Sequence, residues 1–233
     1  MVKLALCVLS VSLLVFLVPG IAVAAQTQPG WAVLVVDVQA CFVEDEDGAL
    51  AVSGTDRRYV KKVNRDTKWL SKKGYLILGS RDYHPENHVS FNTYIDPGPP
   101  GPWPPHCVQT AGDSRALVDN NLFFELVKKG QDPLYDSYSA FKDDGGAVTE
   151  LDAILKAQSI THLIVYGIAT DYCVKFSVLD AIDLGYSVIV VEDLNRGVDP
   201  VTTAAAITEM ETAGAVFVPR VKDAYKITKE SSE

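Results

Sequence analysis

Residues 161–192 read THLIVYGIATDYCVKFSVLDAIDLGYSVIVVE, which predicts a strand, a helix and a second strand in succession. The apolar, β-branched runs Thr161–Ala169 and Tyr186–Glu192 have the length and composition of strands buried on both faces. Between them, Asp171–Leu184 has a helical pattern, and Gly185 is a typical helix stop signal. Two strands joined through a helix indicate parallel pairing within one sheet.

The same alternation extends outward over the rest of the chain. The other predicted strands are Trp31–Val38, Tyr75–Ser80 and Ala215–Val221, and the other predicted helices are Arg57–Lys73, Ala147–Ala157 and Pro200–Ala213. This pattern predicts an α/β fold, a single-domain three-layer α/β/α structure with a mainly parallel sheet. No Gly-x-Gly-x-x-Gly sequence follows the first predicted strand, which argues against a nucleotide-binding Rossmann protein.

Residues 1–25 are predicted to be a secretory signal peptide and not part of the fold. Lys3 precedes an apolar run at 4–18, and the small residues of 22–25 offer a cleavage site near Ala24 or Ala25. An uncleaved anchor is the alternative, but the run is shorter than the ~20 residues of a membrane span. We therefore expect a secreted domain of residues 26–233 that is not held at a membrane after cleavage.

The charge of the chain restricts its partners. Asp and Glu number 30 against 21 Lys and Arg, for a formal net charge of −9. Nucleic acids and anionic membranes repel such a surface, so neither is an expected partner. The expected ligand is instead a small molecule.

Three of the four histidines lie between positions 84 and 106, which predicts a metal site. Asp82 and His84 are two residues apart at the end of a strand, so their side chains share one face. A later loop can supply His106 as a third ligand. Carboxylate and imidazole ligands suit Zn²⁺, Fe²⁺ or Mn²⁺. The alternative is surface or capping histidines in a proline-rich loop, and the clustering makes it the weaker one.

Cys173 lies just past the strand Thr161–Ala169, within the first turn of the following helix. The unpaired N–H groups of a helix N-terminus favour a thiolate and can also bind a developing oxyanion. The alternative is a small buried apolar residue, which is common for a single cysteine. The position at the functional edge of the sheet favours a nucleophile.

A cysteine nucleophile needs a proton acceptor, which is often a histidine. His162, at the opposite end of the strand, is separated from Cys173 by well over about 20 Å at the usual strand rise. The carboxylate of Asp37, at the end of the first strand, is the better candidate. Lys129, at the end of the segment Phe123–Lys128, could hold Asp37 ionised. The result is a Cys–Asp–Lys set without histidine.

Five sequence blocks resemble the signature motifs of nicotinamidases, the pyrazinamidase-type members of the isochorismatase-like cysteine hydrolases. The resemblance runs in order from Trp31 to Val221, which is nearly all of the predicted mature chain. The blocks are Asp37-Val38-Gln39, Asp82-Tyr83-His84-Pro85, Trp103-Pro104-Pro105-His106-Cys107-Val108-Gln109, Asp136-Ser137-Tyr138-Ser139-Ala140-Phe141 and Gly167–Cys173.

The resemblance implies roles for particular residues. Cys173 would be the nucleophile, Asp37 its general base and Lys129 the third catalytic residue. Asp82, His84 and His106 would bind a divalent metal that holds the pyridine nitrogen of the substrate, with Zn²⁺ favoured over Fe²⁺ and Mn²⁺. His88 would be either a further ligand or a residue that orients the loop. Phe42, Trp103 and Tyr138 would form aromatic walls, and a cis Ile168–Ala169 peptide would direct N–H groups at the oxyanion.

The implied activity is hydrolysis of nicotinamide to nicotinate and ammonia through a thioester, a reaction of NAD salvage. A homo-oligomer is compatible with the resemblance. One alternative is a related amidohydrolase that acts on a carbamoyl or ureido substrate, which has less use for the metal. Another is a secreted binding protein that has lost turnover, although all three catalytic positions are present.

The chain departs from the family pattern after the first strand. Ala40 and Cys41 replace the usual Asn-Asp pair, and the acidic residues 44–47 replace a short turn. Without Cys7 of the signal peptide, Cys41, Cys107 and Cys173 remain. We expect Cys41 and Cys107 either to form a disulfide or to stay reduced and buried. Packing is favoured, because the family motif places Cys107 beside a metal ligand in any compartment.

Overall fold

The structure is a computed structural model that describes residues 28–95 and 101–230. The predicted signal peptide lies outside the described residues and stays a prediction. Among the helices that the structure describes, none combines the length and the apolar composition needed to cross a membrane.

Six strands form one sheet, and every pairing within it is parallel. The strands are β1 (Trp31–Val36), β2 (Leu76–Asp82), β3 (Glu125–Lys129), β4 (His162–Gly167), β5 (Ser187–Val191) and β6 (Val216–Val218). Their order across the sheet is β3-β2-β1-β4-β5-β6. The chain order therefore reverses at β1, and ligands of open α/β sheets bind at such switch points.

Helices cover both faces of the sheet, which confirms the predicted three-layer α/β/α fold. The helices are α1 (Arg57–Lys72), α2 (Leu151–Ala157), α3 (Lys175–Asp183), α4 (Pro200–Ala213) and α5 (Val221–Glu230). Helices α1 and α5 share an apolar cluster with one face of the sheet. Helices α2, α3 and α4 share a second cluster with the other face.

The two clusters follow from the period of two in the strands. In β1, Val33 and Val35 point into the cluster beneath α1, whereas Ala32 and Leu34 point into the other. All six residues of β1 are buried. Burial of each large apolar side chain of this kind contributes roughly 1.5–3 kcal/mol. The central strand is therefore fixed on both faces.

Helix α1 begins where the sequence predicts it, because Asp56 caps it. The Asp56 side chain accepts a hydrogen bond of 2.9 Å from the Tyr59 N–H. Tyr59, Val63 and Leu70 recur at helical spacing and are buried against the sheet. Thr67 is buried as well, and most of the remaining residues of the helix are charged and at least partly exposed.

Helices α5 and α2 differ most from the prediction. The prediction ended with a strand to Val221 and contained no helix α5. Val221, Ala224 and Thr228 are nevertheless buried along one face of this helix, at helical spacing. Helix α2 begins at Leu151 and not at 147. Its start is fixed by Thr149, whose hydroxyl donates to the Ala140 carbonyl and accepts the Leu151 N–H. The residues before Thr149 form turns instead.

The carboxyl ends of the central strands meet closely at the switch point. Val36 of β1 pairs with Ser80 of β2 on one side and with Gly167 of β4 on the other. Gly167 has a φ of +149°, and a Cβ there would lie 1.9 Å from the Val36 carbonyl oxygen. Glycine thus allows the two strand ends to approach, and the residues after them converge on one point.

Candidate active site

Three groups that the sequence predicts as a catalytic set lie together at the carboxyl edge of the sheet. The Lys129 ammonium is 3.0 Å from Asp37 Oδ2 and 3.4 Å from Cys173 Sγ. It also donates to the Ser137 carbonyl oxygen at 2.8 Å and to Asp82 Oδ1. Lys129 reaches this position because β3 pairs with β2 in a register that places it beside Asp82.

Asp37 is placed to exchange a proton with the thiol. It follows β1 directly, is fully buried and has a φ of +46°. Ser80 Oγ donates to Asp37 Oδ1 at 2.7 Å, and Oδ2 pairs with the Lys129 ammonium at 3.0 Å. An oxygen of Asp37 and the sulfur of Cys173 lie within 4.8 Å of each other. The carboxyl group of Asp37 therefore lies beside the thiol.

Burial shifts the pKa values of both Asp37 and Cys173. Burial raises the pKa of Asp37, and the Lys129 ammonium offsets this effect only in part. Burial likewise raises the pKa of the Cys173 thiol well above its ordinary value, despite the nearby ammonium. Burial therefore opposes the thiolate that the helix N-terminus is expected to favour, and a base beside the sulfur is needed to take its proton.

Lys129 and Asp82 remain charged. Burial alone would lower the pKa of Lys129, but the carboxylates of Asp37 and Asp82 raise it well above its ordinary value. Burial alone would raise the pKa of Asp82, but Lys129 and then His84 outweigh it and lower the pKa. The two buried carboxylates of the site thus differ, with Asp82 ionised and Asp37 able to hold a proton.

Cys173 lies in a single π-helical turn, Thr170–Val174, that leads into α3. The preceding peptide bond, Ile168–Ala169, is cis, as the resemblance implies. The Ala169 N–H donates to no group among the described residues, and Ala169 lines the pocket. This N–H can therefore stabilise an oxyanion formed beside the sulfur.

The predicted metal ligands also lie together and are buried. One ligand atom each from Asp82, His84 and His106 falls within 4.8 Å of the others. The His84 Nδ1–H donates to the Gly130 carbonyl at 2.9 Å, and the His106 Nδ1–H donates to the Pro104 carbonyl at 2.8 Å. Both Nε2 atoms consequently present lone pairs, at 3.6 and 3.9 Å from Asp82 Oδ2. The donor set fits a divalent metal.

A pocket joins the cysteine to the predicted metal ligands. Phe42, Trp103 and Tyr138 line it as predicted, and the Trp103 indole N–H donates to the Tyr138 hydroxyl at 3.0 Å. Ile168, which was also predicted to bind substrate, is fully buried in the core and does not line this pocket. Its contribution to the site is the cis peptide bond.

Comparison with known proteins agrees with this geometry. Residues 31–220 match the family model of the isochorismatase domain. The nicotinamidase of Escherichia coli K12 is 43% identical over 204 residues, which cover 81% of this chain and 94% of that protein. The chain belongs to the nicotinamidase branch of the isochorismatase family.

Solved structures support the same assignment. The pyrazinamidase of Pyrococcus horikoshii in complex with zinc is 35% identical with a TM-score of 0.73, and the match covers 82% of this chain and 99% of that one. The PnC1 protein of L. infantum in complex with nicotinate is 32% identical with a TM-score of 0.74, over 82% and 93% of the two chains.

Two histidines of this isochorismatase-family chain lie outside the metal cluster. The His88 Nε2–H donates to the Tyr135 carbonyl at 3.1 Å, and His88 Nδ1 accepts from Ser90 Oγ at 2.7 Å. Burial lowers the pKa of His88 to about 4, so the ring is neutral. It packs 4.1 Å from the His84 ring, which fits an orienting role better than ligation. His162, at the start of β4, stacks on Trp31, far from the sulfur.

Two further residues of the site were not predicted. Gln39 forms two hydrogen bonds to the Asp82 backbone, from Asp82 N–H to Oε1 at 2.8 Å and from Nε2 to the Asp82 carbonyl at 2.9 Å. Tyr172 lines the pocket and contacts the Trp103 and Tyr138 rings. Both residues belong to quoted family motifs, which was the available signal. The contacts between loops that give them a position cannot be read from the sequence.

Cys41 and Cys107 form a disulfide with their Cα atoms 5.4 Å apart, and Cys173 remains free. The favoured expectation that the first two cysteines only pack is therefore wrong, and the alternative of a bridge is confirmed. The bridge forms because the loop after β1 and the loop that carries His106 lie against each other.

Proposed function

We propose that this chain hydrolyses nicotinamide to nicotinate and ammonia. The observation that carries the proposal is one pocket in which a buried Cys173–Lys129–Asp37 set lies beside the Asp82, His84 and His106 cluster. The relatives named nicotinamidase support this substrate. All of these residues come from one chain.

The first half of the reaction makes a thioester. The Asp37 carboxylate takes the thiol proton, and the Cys173 sulfur attacks the carboxamide carbon. The carbonyl oxygen gains the negative charge and accepts the hydrogen bond of the Ala169 N–H. The C–N bond then breaks, and ammonia leaves with the proton that Asp37 had taken.

The second half restores the thiol. Asp37 takes a proton from water, and the hydroxide attacks the thioester carbon. The C–S bond breaks to release nicotinic acid, which loses its proton to solvent as nicotinate, and the Cys173 sulfur recovers its proton from Asp37. Throughout, the Lys129 ammonium stays charged and balances the negative charge that passes between the carboxylate and the sulfur.

We propose Zn²⁺ as the bound metal, because two imidazoles and a carboxylate suit it and the P. horikoshii relative is described in complex with zinc. Asp82, His84 and His106 would hold it. When bound, it offers an open coordination position that can hold the pyridine nitrogen of the substrate. The chain's own residues perform the proton transfers and the attack.

The experiment is a measurement of ammonia release by the purified domain, residues 26–233, loaded with zinc. Nicotinamide should be hydrolysed, and a chelator should abolish most of the activity. Benzamide, which has the same size and carboxamide but no ring nitrogen, is the matched control and should be a far poorer substrate. Faster hydrolysis of a ureido compound than of nicotinamide would replace this function by the alternative amidohydrolase activity.

We further propose that the domain acts outside the cell, after removal of residues 1–25. The apolar run at 4–18, the small residues at 22–25 and the presence of a disulfide support this location. The test is sequencing of the N-terminus of the protein recovered from the culture medium of its host. A start near residue 25 or 26 is expected, and a protein found only inside cells with Met1 intact would contradict the proposal.

A further inference from the structure

The Cys41–Cys107 disulfide joins two loops that both contribute to the pocket. Cys41 lies in the loop after β1, in the short 3-10 turn Ala40–Phe42. Cys107 directly follows the metal-binding His106. Both cysteines are fully buried, so the bond is part of the packed structure beneath the site and not a surface link.

On the metal side, the backbone of Cys107 lies between the two imidazole ligands. Its carbonyl oxygen accepts a hydrogen bond of 3.1 Å from the backbone N–H of His84, and His106 directly precedes it in the chain. The Cys107 N–H donates to Asp113 Oδ2 at 3.1 Å. A displacement of Cys107 would therefore move both histidines relative to Asp82.

On the substrate side, the backbone around Cys41 supports one wall of the pocket. The Cys41 carbonyl accepts the Leu50 N–H at 3.0 Å, and the Phe42 carbonyl accepts the Val52 N–H at 3.0 Å. Phe42, Leu50 and Val52 all line the pocket. The Phe42 ring is also 5.6 Å from the His106 ring, measured between centroids.

The hydrogen bonds between the two loops involve other residues. They join residues 38–40 to 114–117, as in the 3.1 Å bond from the Ala40 N–H to the Arg115 carbonyl. Within the described ranges, no hydrogen bond joins residues 41–43 to 104–108. Beside His106, the two loops are therefore joined by the disulfide and by the contact between the Phe42 and His106 rings.

We propose that the Cys41–Cys107 disulfide is a positioning element that holds His84 and His106 in place against the Phe42 wall. Metal retention and substrate docking then depend on the oxidation state of this pair, whereas the attack by Cys173 does not. Cys173, Asp37 and Lys129 are held by contacts that involve neither the bridge nor the two histidines. Only the measurements of KM and kcat rest on the proposed function, because metal release is measured without substrate.

The test compares the zinc-loaded wild-type domain with the double variant Cys41→Ala/Cys107→Ala. Loss of a group that orients metal ligands typically weakens binding by about 10–100-fold, so zinc should pass to a chromogenic chelator faster by about that factor. KM for nicotinamide should rise severalfold and kcat should change much less. The matched control is Met210→Ala, which opens the core at a fully buried position of α4 away from the pocket.

A second arm covers failure of the double variant to fold. The folded, oxidised wild type is treated with a phosphine reductant, and thiol titration should rise from one to three groups per chain. Zinc release should accelerate at the same time, and the Met210→Ala variant before reduction should release zinc at the wild-type rate. Two results would overturn the proposal. One is zinc release at the wild-type rate after the bridge is broken, and the other is equally fast release from oxidised Met210→Ala. If the wild type releases zinc slowly but does not hydrolyse nicotinamide, the proposed function fails and the positioning role is still decided.

Discussion

At the scale of single residues, the two buried carboxylates of the site differ in the proton that each can hold. Lys129 contacts both, but Asp82 also faces His84 and His106, and these groups lower its pKa. Burial raises the pKa of Asp37 instead. This separation supports the proposed roles of Asp82 as metal ligand and Asp37 as proton carrier. The difference comes from the surroundings and not from the residue type.

Replacement of Cys173 should abolish turnover without abolishing substrate binding. Cys173→Ala should lower turnover of nicotinamide on the order of 10⁴-fold or more, because the loss of a nucleophile disables the whole catalytic set. Nicotinamide should still bind, since the metal ligands and aromatic walls are unchanged. Ammonia release and calorimetric titration of the zinc-loaded variant measure the two effects. Near-normal turnover would contradict the nucleophile assignment.

Removal of the buried ammonium should destabilise the fold as well as the site. Lys129→Met leaves Asp37 and Asp82 buried beside each other without their counter-charge, which should cost about 3–5 kcal/mol of unfolding free energy. Lys142→Met is the control, because Lys142 pairs with Asp180 at a half-exposed position and should contribute at most about 1 kcal/mol. Urea unfolding followed by circular dichroism gives both values, and equal losses in the two variants would disprove the argument.

At the scale of secondary-structure elements, glycine sets how closely the ends of strands approach the groups of the site. Gly130 directly follows β3, has a φ of +61° and packs against the His84 ring. Its carbonyl accepts the His84 Nδ1–H, which fixes the tautomer of that ligand. The residue after β3 thus orients the His84 ring, which follows β2.

A side chain at Gly130 should therefore affect the metal site. In Gly130→Ala, the new Cβ would lie 2.3 Å from His84 Cε1, so the ring must shift. We expect zinc affinity to fall by about 10-fold or more, as for other groups that orient a ligand. Gly185→Ala is the matched control, because Gly185 also has a positive φ but has no neighbouring atom within 4 Å of the new Cβ. Competition with a chelator reports the affinities, and equal values for the two variants would exclude the contact with His84.

The elements that were predicted well are those with a strong periodic pattern and a clear boundary signal. Helix α4 has the predicted bounds, because Asp199 caps its start and Gly214 ends it. Helix α5 was missed although its pattern is amphipathic, because a preceding apolar run favoured a longer strand. The π-helical turn before α3 has no sequence pattern of its own. Its geometry depends on Asp171, which binds the backbone of Val198 from another loop.

At the scale of the whole molecule, the strand order explains why so much of the candidate site could be predicted. The carboxyl ends of parallel strands meet at one edge, so residues that follow apolar runs are brought together. This applies to Asp37, Asp82 and Cys173, whose proximity the structure shows while their roles stay predictions. The disulfide and the Gln39 contacts depend on how long loops pack against each other, and no local pattern encodes that arrangement.

The disulfide should also stabilise the whole molecule. It closes a loop with a sequence separation of 66, for which the chain-entropy estimate is about 4 kcal/mol. We expect Cys41→Ala/Cys107→Ala to lose about 2–4 kcal/mol of unfolding free energy. The slope of the unfolding free energy against urea should rise, because the unfolded chain becomes more extended. An unchanged midpoint in urea would show that the bridge adds nothing to stability.

The apolar clusters on the two faces of the sheet have a consequence for the durability of the enzyme. Cys41 and Cys107 belong to one cluster and Cys173 to the other. Thiol–disulfide exchange requires direct contact between sulfur atoms. Exchange of Cys173 with the bridge therefore requires the packing of one cluster to be disturbed, so the native pairing lasts as long as this packing does.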